Sequence, residues 1–324
     1  MIMQYRNHKS DKYRQSIKLA ILSIKQKIVY SVASALTMLI CSSTILAQDF
    51  APLKSQLQQI ITGYKAQVGI AVIIDGKDTL TVNNEEHYPM MSVYKFHQAL
   101  AVAKKMEQNA ISLDTMIYVK KEELHADTYS PLRDKYPEGN TWFSVKELLT
   151  YTLQWSDNNA CDILFDHIID PKQTDVLLHR IGGKDFNIST TEREMHFDVS
   201  KCFDNWSTPL SSAKLLDDFV AGRIVKRKYY DFILHSMLNC TTGAHRLPTG
   251  LPAKVQIGHK TGTSGKDKND MFMGVNDIGF IFMSENRRFS IAVYVKNSKE
   301  DLETNERIIA DVSRKVYSFL QKHR

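Results

Sequence analysis

Residues Pro89–Leu100 read PMMSVYKFHQAL and place Ser92 and Lys95 in the pattern S-x-x-K. Beyond Pro89, apolar residues recur at helical spacing as far as Met106, which predicts a buried helix beginning near Ser92. Side chains three residues apart on a helix lie one above the other, so the Lys95 amine is expected beside the Ser92 hydroxyl. A desolvated lysine can take the hydroxyl proton and make the serine a nucleophile. Short motifs also recur by chance, and the same pattern occurs at Ser211–Lys214.

Three further motifs lie downstream. Ser156-Asp157-Asn158 opens a predicted helix, and Lys260-Thr261-Gly262 follows the predicted strand Val255–Gly258. Between them, the polar stretch Thr191–His196 reads TEREMH and has no clear periodicity. Each motif alone has an ordinary explanation, as a helix N-cap, a turn or a surface loop. Together with S-x-x-K, in this order, they predict a serine active site.

The N-terminus accounts for the whole net charge of +6. Residues 1–47 hold seven basic residues and one acid, which leaves 35 basic and 35 acidic residues in the remainder. The remainder therefore lacks the charge excess that nucleic-acid binding normally needs. The apolar run Ile28–Leu46 and the small Ala47 behind it predict a signal peptide over residues 1–47 and a periplasmic protein. A membrane anchor is the alternative, because the run approaches spanning length.

Cysteines and histidines predict neither a disulfide framework nor a metal site. Three cysteines, Cys161, Cys202 and Cys240, lie beyond the signal segment, and no C-x-x-C pattern occurs. We therefore expect one disulfide at most. We also expect no metal, no cofactor, no nucleic-acid partner, no membrane contact after signal cleavage, and a monomer.

The order of the predicted elements indicates an α/β (α+β) fold with two lobes. A β-hairpin is predicted at Val68–Val82, around Asp75-Gly76, and strand character returns at 255–295 before a C-terminal helix at Leu302–Leu320. The residues between are mostly helical. We therefore predict one domain over 48–324, with an α/β lobe at about 50–90 and 250–324 and an all-α lobe at about 91–249. The active site is expected in the cleft between the lobes.

With these motifs the sequence resembles the class A serine β-lactamases, which share S-x-x-K, S-D-N and K-T-G with penicillin-binding proteins. The resemblance runs from about Leu53 to the C-terminus. The finer matches are to the PER-type and Bacteroidetes cephalosporinase branch: YPMMSVYKFHQAL, SDNNACDILF, TEREMH, NWSTP and GHKTGTS. It implies a five-stranded antiparallel sheet flanked by helices and packed against an all-helical lobe.

The resemblance also implies catalytic roles. Ser92 would be the acylated nucleophile with Lys95 as its proton partner, although a glutamate acting through water is the disputed alternative base. Ser156 and Lys260 would pass a proton to the lactam nitrogen. The backbone N–H groups of Ser92 and Thr263 would form the oxyanion hole. Glu192, rather than Glu194, is expected to activate the deacylating water.

Further residues are expected to bind substrate. Asn158 would hold the substrate amide, and Lys260, Thr261, Gly262 and Thr263 would face its carboxylate. Arg246 resembles the arginine that some class A members carry before the K-T-G strand; a solvated surface position is the alternative. Tyr129 would form an aromatic wall at the cleft mouth, with core packing as the alternative. His196, four residues after Glu192, would hold the same water as that glutamate.

Several positions depart from the common class A pattern. The loop glutamate is followed by Arg193 instead of proline, and His196 replaces an asparagine. Asp162 replaces another asparagine, and His259 replaces the aspartate before K-T-G. Without the proline, we expect a trans peptide bond after Glu192 and a remodelled loop. A wider cleft would favour bulky, extended-spectrum cephalosporins.

Two other functions share parts of this site. A penicillin-binding transpeptidase or carboxypeptidase would carry the same serines and lysines but no dedicated deacylating glutamate. An inactive β-lactam-sensing module would have lost a catalytic residue. The presence of Glu192 with all the other site residues favours the β-lactamase.

Overall fold

The computed structural model describes residues 49–283 and 287–323, which exclude the predicted signal segment. The described residues from Phe50 onward belong to one compact unit. In this part of the chain, no helix is long and apolar enough to cross a membrane.

A five-stranded antiparallel sheet forms the frame of the fold. The predicted sheet is therefore confirmed. Asp75 and Gly76 join the first two strands and both have left-handed φ angles, which Gly and Asp tolerate in tight hairpin turns. The strands are β1 (Gln67–Ile74), β2 (Asp78–Val82), β8 (Gln256–Thr263), β9 (Phe272–Phe282) and β10 (Arg288–Ser298). Their order across the sheet is β2-β1-β10-β9-β8.

Alternate side chains of the sheet enter two apolar cores. In β10, Ile291 and Val293 lie in one core, with Ile308 and Val312 of the C-terminal helix. Ala292, next along the strand, lies in the other core, which the helical part of the chain covers. The strands are apolar on both faces because helices cover both faces of the sheet. The covering helices of the first core are α1 (Ala51–Ile61) and α10 (Leu302–Lys322).

Helices dominate the chain between the hairpin and β8. One of them, α2, is buried from Tyr94 to Ala103, as expected for a helix at the centre of a bundle. Two small sheets, β3-β7-β6 and β4-β5, were not predicted. The described helices of this segment are α2 (Tyr94–Gln108), α3 (Pro131–Lys135), α4 (Val145–Gln154), α5 (Asn158–His167), α6 (Pro171–Arg180), α7 (Glu192–Phe197), α8 (Pro209–Val220) and α9 (Arg227–Leu238). The short strands are β3 (Tyr88–Pro89), β4 (Met116–Val119), β5 (Thr141–Ser144), β6 (Phe186–Asn187) and β7 (Trp206–Ser207).

Two predicted local structures were wrong in detail. Lys260, Thr261 and Gly262 do not follow a strand that ends at Gly258; they continue it, because β8 runs to Thr263. The stretch after Thr191 is not an irregular loop but the short helix α7. Thr191 accepts the Glu194 N–H, and the Glu194 carboxylate accepts the Thr191 N–H, a capping box that stabilises so short a helix.

Candidate active site

Ser92 lies in a 3₁₀ turn (Met91–Val93) that leads into α2. The regular helix begins at Tyr94, two residues later than the predicted start. Met91 has a left-handed φ of 49°, a backbone conformation that is uncommon for a residue with a side chain. Asn276 of β9 donates hydrogen bonds to the carbonyl oxygens of Pro89 and Met90, at 2.8 and 3.1 Å. The turn that carries Ser92 is therefore held directly by the sheet.

Lys95 is completely buried and brings three of the sequence motifs together. Its Nζ lies 3.2 Å from Ser92 Oγ, 2.8 Å from the Ser156 carbonyl oxygen and 2.5 Å from Asn158 Oδ1. It also forms an ion pair of 3.0 Å with Glu192 Oε1. The helical spacing correctly predicted the contact with Ser92, and the other contacts depend on the fold.

The structure separates the two loop glutamates. Glu192 Oε1 lies 3.5 Å from Ser92 Oγ as well as beside Lys95. The Glu194 carboxylate instead caps its own helix through Thr191. Glu192 is therefore the carboxylate next to the serine. The peptide bond after Glu192 is trans, as expected, and so is every other peptide bond in the described segments.

Asp162 of α5 fixes the start of α7. Its carboxylate accepts the N–H groups of Glu192 and Arg193, at 2.9 and 2.7 Å. Burial and the charge of Glu192 raise the Asp162 pKa to about 7. The sequence marked this position only as a departure from the family pattern. Its second carboxylate oxygen lets it hold two N–H groups, whereas the single carbonyl oxygen of an asparagine offers only one acceptor atom.

Ser156 contacts a second lysine, Lys260, in addition to Lys95. Lys260 Nζ donates to Ser156 Oγ at 2.7 Å and is fully buried. Burial, together with the positive charge of Lys95, lowers the Lys260 pKa to about 7. Ser156 has a left-handed φ of 57°, and Asp157 caps α5 by accepting the Ala160 N–H. This short segment thus directs the Ser156 hydroxyl and the Ser156 carbonyl oxygen to two different lysines.

The K-T-G motif needs a glycine at position 262 because of a close contact with the Ser92 turn. The strand β8 is the outer strand of the sheet and lies against the Ser92 turn. A Cβ atom on Gly262 would be 2.4 Å from the Met90 carbonyl oxygen and 2.9 Å from Met91 Cβ. Only a residue without a side chain allows this close approach of two backbones.

Arg246 is buried, with 3% of its surface exposed, so the surface alternative is wrong. Its guanidinium donates to the carbonyl oxygens of Gly262 and Asn276 and, at 2.7 Å, to Thr263 Oγ1. It also pairs with Glu306 at 3.1 Å. Arg246 therefore reaches the end of β8 through Thr263.

Tyr129 and His196 lie at the surface around these groups. Tyr129 is 57% exposed, which excludes core packing, and its carbonyl oxygen accepts the Asn158 N–H at 3.0 Å. His196 is exposed and lines a small cavity together with Thr128 and Asp162. Thr128 Oγ1 in turn accepts a hydrogen bond from the Asn158 side chain at 2.7 Å. A water position shared by His196 and Glu192 stays a prediction.

The sequence analysis did not predict that Asn276 supports the Ser92 turn. Asn276 and Asp277 form a polar pair inside the apolar strand β9, and that pair was the available signal. The second S-x-x-K motif lies outside the site: its Ser211 is in α8, where the hydroxyl donates a hydrogen bond to the Lys184 carbonyl oxygen. It has no part in the site.

The arrangement places a buried lysine and a carboxylate beside the Ser92 hydroxyl, and a second buried lysine beside the Ser156 hydroxyl. Comparisons with known proteins agree with this chemistry. The Beta-lactamase enzyme family matches residues 52–320. A β-lactamase of Bacteroides uniformis is 38% identical over 288 residues, 88% of this chain and 97% of that protein. The extended-spectrum β-lactamase PER-1 of Pseudomonas aeruginosa is 33% identical, over 89% of this chain and 93% of its own. The crystal structure of the TLA-1 extended-spectrum β-lactamase superposes with a TM-score of 0.82 at 40% identity, covering 84% of this chain and 99% of the other.

Proposed function

This chain belongs to the class A serine β-lactamases and hydrolyses β-lactams, and we propose that it does so through an acyl-enzyme on Ser92. The observation that carries this proposal is the position of Ser92 Oγ, 3.2 Å from Lys95 Nζ and 3.5 Å from Glu192 Oε1. The carboxylate can accept a proton from the hydroxyl through a water, and Lys95 can accept one once it has passed its own proton to Glu192.

In acylation, Ser92 Oγ attacks the lactam carbonyl and loses its proton to Lys95 in its neutral amine form, or to Glu192 through a water. The carbonyl oxygen becomes negative in the transition state, and the N–H groups of Ser92 and Thr263 would stabilise it. The close approach of Gly262 to the Ser92 turn supports this pairing, because it brings the end of β8 to the serine.

Opening of the ring leaves a nitrogen that needs a proton. Ser156 Oγ accepts a hydrogen bond from Lys260 and is the hydroxyl we assign to this step. As Ser156 gives its proton to the nitrogen, it can recover one from Lys260. The pKa of Lys260, lowered to about 7, supports its role as a donor near neutral pH, because burial weakens its hold on the proton.

Substrate binding is assigned to the rim of the same cleft. Asn158 would hold the substrate amide, and Thr261 and Thr263, with the charges of Lys260 and Arg246 behind them, would face its carboxylate. Tyr129 would cover the open side of the cleft, which its exposure supports.

Glu192 is proposed to activate the water that releases the acyl group. Glu192→Gln should still be acylated at Ser92 and then stall, because the amide cannot take a proton from water. Mass spectrometry should detect the trapped adduct, and a chromogenic cephalosporin should give a stoichiometric burst.

Glu194→Gln is the matched control, because Glu194 caps α7. This variant should hydrolyse the substrate at nearly the normal rate. A trapped adduct in Glu194→Gln with normal turnover in Glu192→Gln would reverse the assignment. If neither variant stalled, the chain would lose the feature that distinguishes it from a transpeptidase.

We further propose a preference for cephalosporins, including extended-spectrum ones. The printed names of the relatives PER-1 and TLA-1 support this, since both are called extended-spectrum β-lactamases. The helix α7, with Arg193 in place of a proline and Asp162 holding its first turn, supports a loop of non-standard shape. Steady-state kinetics across penicillins, cephalosporins and a carbapenem should give the highest kcat/KM for a cephalosporin. A penicillin turned over faster than every cephalosporin would contradict the preference.

A further inference from the structure

The loop of residues 125–129, which we call the mouth loop, holds Asn158 by its backbone and by its side chain. The Tyr129 carbonyl oxygen accepts the Asn158 N–H at 3.0 Å, and Thr128 Oγ1 accepts one N–H of the Asn158 side chain at 2.7 Å. Lys95 donates to the oxygen of the same side chain, which fixes the orientation of its amide. Among the described residues, none accepts the second N–H of this amide. That N–H is the donor that a carbonyl oxygen of the substrate can use.

The mouth loop depends on Arg133 of α3 for its backbone hydrogen bonds. The loop has no regular secondary structure, so its carbonyl oxygens need donors from elsewhere. Arg133 Nη1 donates to the carbonyl oxygens of His125, Ala126 and Thr128, at 2.8, 2.6 and 2.6 Å. No backbone N–H of the described residues is hydrogen-bonded to these three oxygens. One guanidinium nitrogen therefore connects both ends of the loop.

Arg133 is itself held at its side chain and at its backbone. Its Nε and Nη2 donate to the Asp134 carboxylate at 3.2 and 2.7 Å, which leaves Nη1 for the mouth loop. The Arg133 N–H donates to Ser130 Oγ at 3.1 Å, and Ser130 donates in turn to the buried Asp157 carboxylate at 3.0 Å. Asp157 is also the N-cap of α5. The beginnings of α3 and α5 thus share one carboxylate.

We propose that Arg133 is a positioning residue for the acyl amide of the substrate, and that it acts through the mouth loop on Asn158. This inference rests on the proposed function, which assigns the substrate amide to Asn158. Arg133 makes none of the contacts around Ser92 Oγ, so its loss leaves the nucleophile and both its partners in place. Without Arg133, three carbonyl oxygens turn toward water and Thr128 no longer fixes the Asn158 amide. Arg133 therefore favours substrates whose ring amine is acylated.

The mouth loop has a second support that limits the damage. Asn159 of α5 accepts the His125 N–H at 3.0 Å and donates to the His125 carbonyl oxygen at 3.2 Å. These bonds do not involve Arg133, so the beginning of the loop stays attached to α5 in an Arg133 variant. The change should be confined to the end of the loop that carries Thr128 and Tyr129.

Two cephalosporins that differ only in the acyl group test this inference. Cephalothin carries an acylated amine on its β-lactam ring, whereas 7-aminocephalosporanic acid has the same nucleus with a free amine. Arg133→Ala should lower kcat/KM for cephalothin about tenfold, the size of one hydrogen bond, and mostly through KM. With 7-aminocephalosporanic acid, kcat/KM should change less than about twofold, because the acyl amide is absent. Equal losses with both compounds, or no loss with cephalothin, would overturn the proposal.

Thr128→Val tests whether Arg133 acts through the mouth loop. Valine has the shape of threonine without the hydroxyl, so this change removes the acceptor for the Asn158 side chain. It should reproduce the loss that is selective for cephalothin. Because both changes act on the same contact, the double variant should lose about tenfold, instead of the hundredfold or so expected of independent sites. Additive losses would contradict the action through Thr128.

Arg287→Ala is the matched control. The Arg287 side chain is 24% exposed, against 21% for Arg133, and its Nη1 likewise donates to backbone carbonyl oxygens, those of Leu320 and His323. Arg287→Ala should lower Tm but leave kcat/KM unchanged for both compounds. A loss selective for cephalothin in this variant would mean that general loosening causes the effect, and would overturn the role of Arg133. A parent protein that hydrolysed neither compound would instead contradict the proposed function, and the inference would fall with it.

Discussion

At the residue scale, the site is organised around the buried Lys95, which contacts four different residues. Lys95 has three N–H donors and lies within 3.2 Å of four oxygen atoms, on Ser92, Ser156, Asn158 and Glu192. A buried ammonium is costly unless such partners surround it. Removal of Lys95 would therefore leave the Glu192 charge without its partner as well as the serine without a base. Its position is set by helix α2, but its environment is set by two distant segments, one with Ser156 and Asn158 and one with Glu192.

Arg246→Ala should raise KM more than it lowers kcat. The arginine orients Thr263 and contributes positive charge to the proposed carboxylate site in ground state and transition state alike, so its loss removes uniform binding. A charge-assisted hydrogen bond contributes about 1.5–3 kcal/mol, which corresponds to roughly ten- to a hundredfold in kcat/KM. Steady-state kinetics with a cephalosporin measure both parameters.

Arg314→Ala is the matched control, because it removes the same charge from an exposed side chain of α10 that pairs with Asp311. Its kinetics should be unchanged. If Arg246→Ala behaved like Arg314→Ala, the carboxylate role of Arg246 would be lost.

At the scale of elements, one contact between a strand and a turn sets the geometry of the site. The strand β8 carries Lys260 and Thr263, and the 3₁₀ turn before α2 carries Ser92. The two backbones approach so closely at Gly262 that no side chain fits between them. Asn276 of the next strand ties the same turn to the sheet. The sheet edge and the turn that carries Ser92 are thus in direct contact.

Gly262→Ala should force this contact apart. A methyl group in a filled space typically costs about 1–3 kcal/mol, which for a protein of this size lowers Tm by several degrees. A misplacement of about 1 Å can reduce the rate about a hundredfold, so kcat should fall more than stability alone explains. Kinetics and thermal unfolding of the same sample separate the two effects.

Gly265→Ala is the control from the same part of the chain, since nothing lies within 4 Å of a Cβ at that position. It should unfold and turn over like the parent protein. Normal kcat in Gly262→Ala would mean that the close contact at Gly262 is not needed to place Ser92.

At the scale of the whole molecule, the excess positive charge of the sequence lies in residues 1–47, and the apolar cores lie in the described residues from Phe50 onward. The described residues from Phe50 onward carry the sheet, its two apolar cores and the complete candidate site. The predicted signal peptide, residues 1–47, lies outside the described residues. The two-lobe boundaries likewise stay a proposal, with the sheet edge β8 facing the segment that holds Ser92, Ser156 and Glu192.

The exported protein should begin near Gln48. The apolar run ends just before Ala47, and the excess positive charge lies entirely ahead of it, as in a cleavable signal peptide. Mass spectrometry of periplasmic material should give a chain that lacks residues 1–47. Recovery of the intact chain from the membrane fraction would favour the anchor.

Local patterns were enough to predict much of this protein from its sequence. The three-residue spacing of Ser92 and Lys95, the hairpin at Asp75-Gly76 and the apolar face of α10 each depend on neighbours a few residues away. Periodicity and turn chemistry report such neighbours directly. The order of the four motifs then indicated the family, because each motif consists of a few neighbouring residues and can be recognised without the fold.

Only the tertiary structure decided which of these residues meet, because contacts between residues far apart in the chain, such as Asn276 and Pro89, depend on how the elements pack. The two carboxylates of one short stretch have different partners: Glu192 pairs with Lys95, whereas Glu194 caps its own helix. Arg246 was predicted at the site, but its burial behind Thr263 was not. The sequence marked His259 only as a departure from the family pattern, and its contact with Asp277 forms because two neighbouring strands pair.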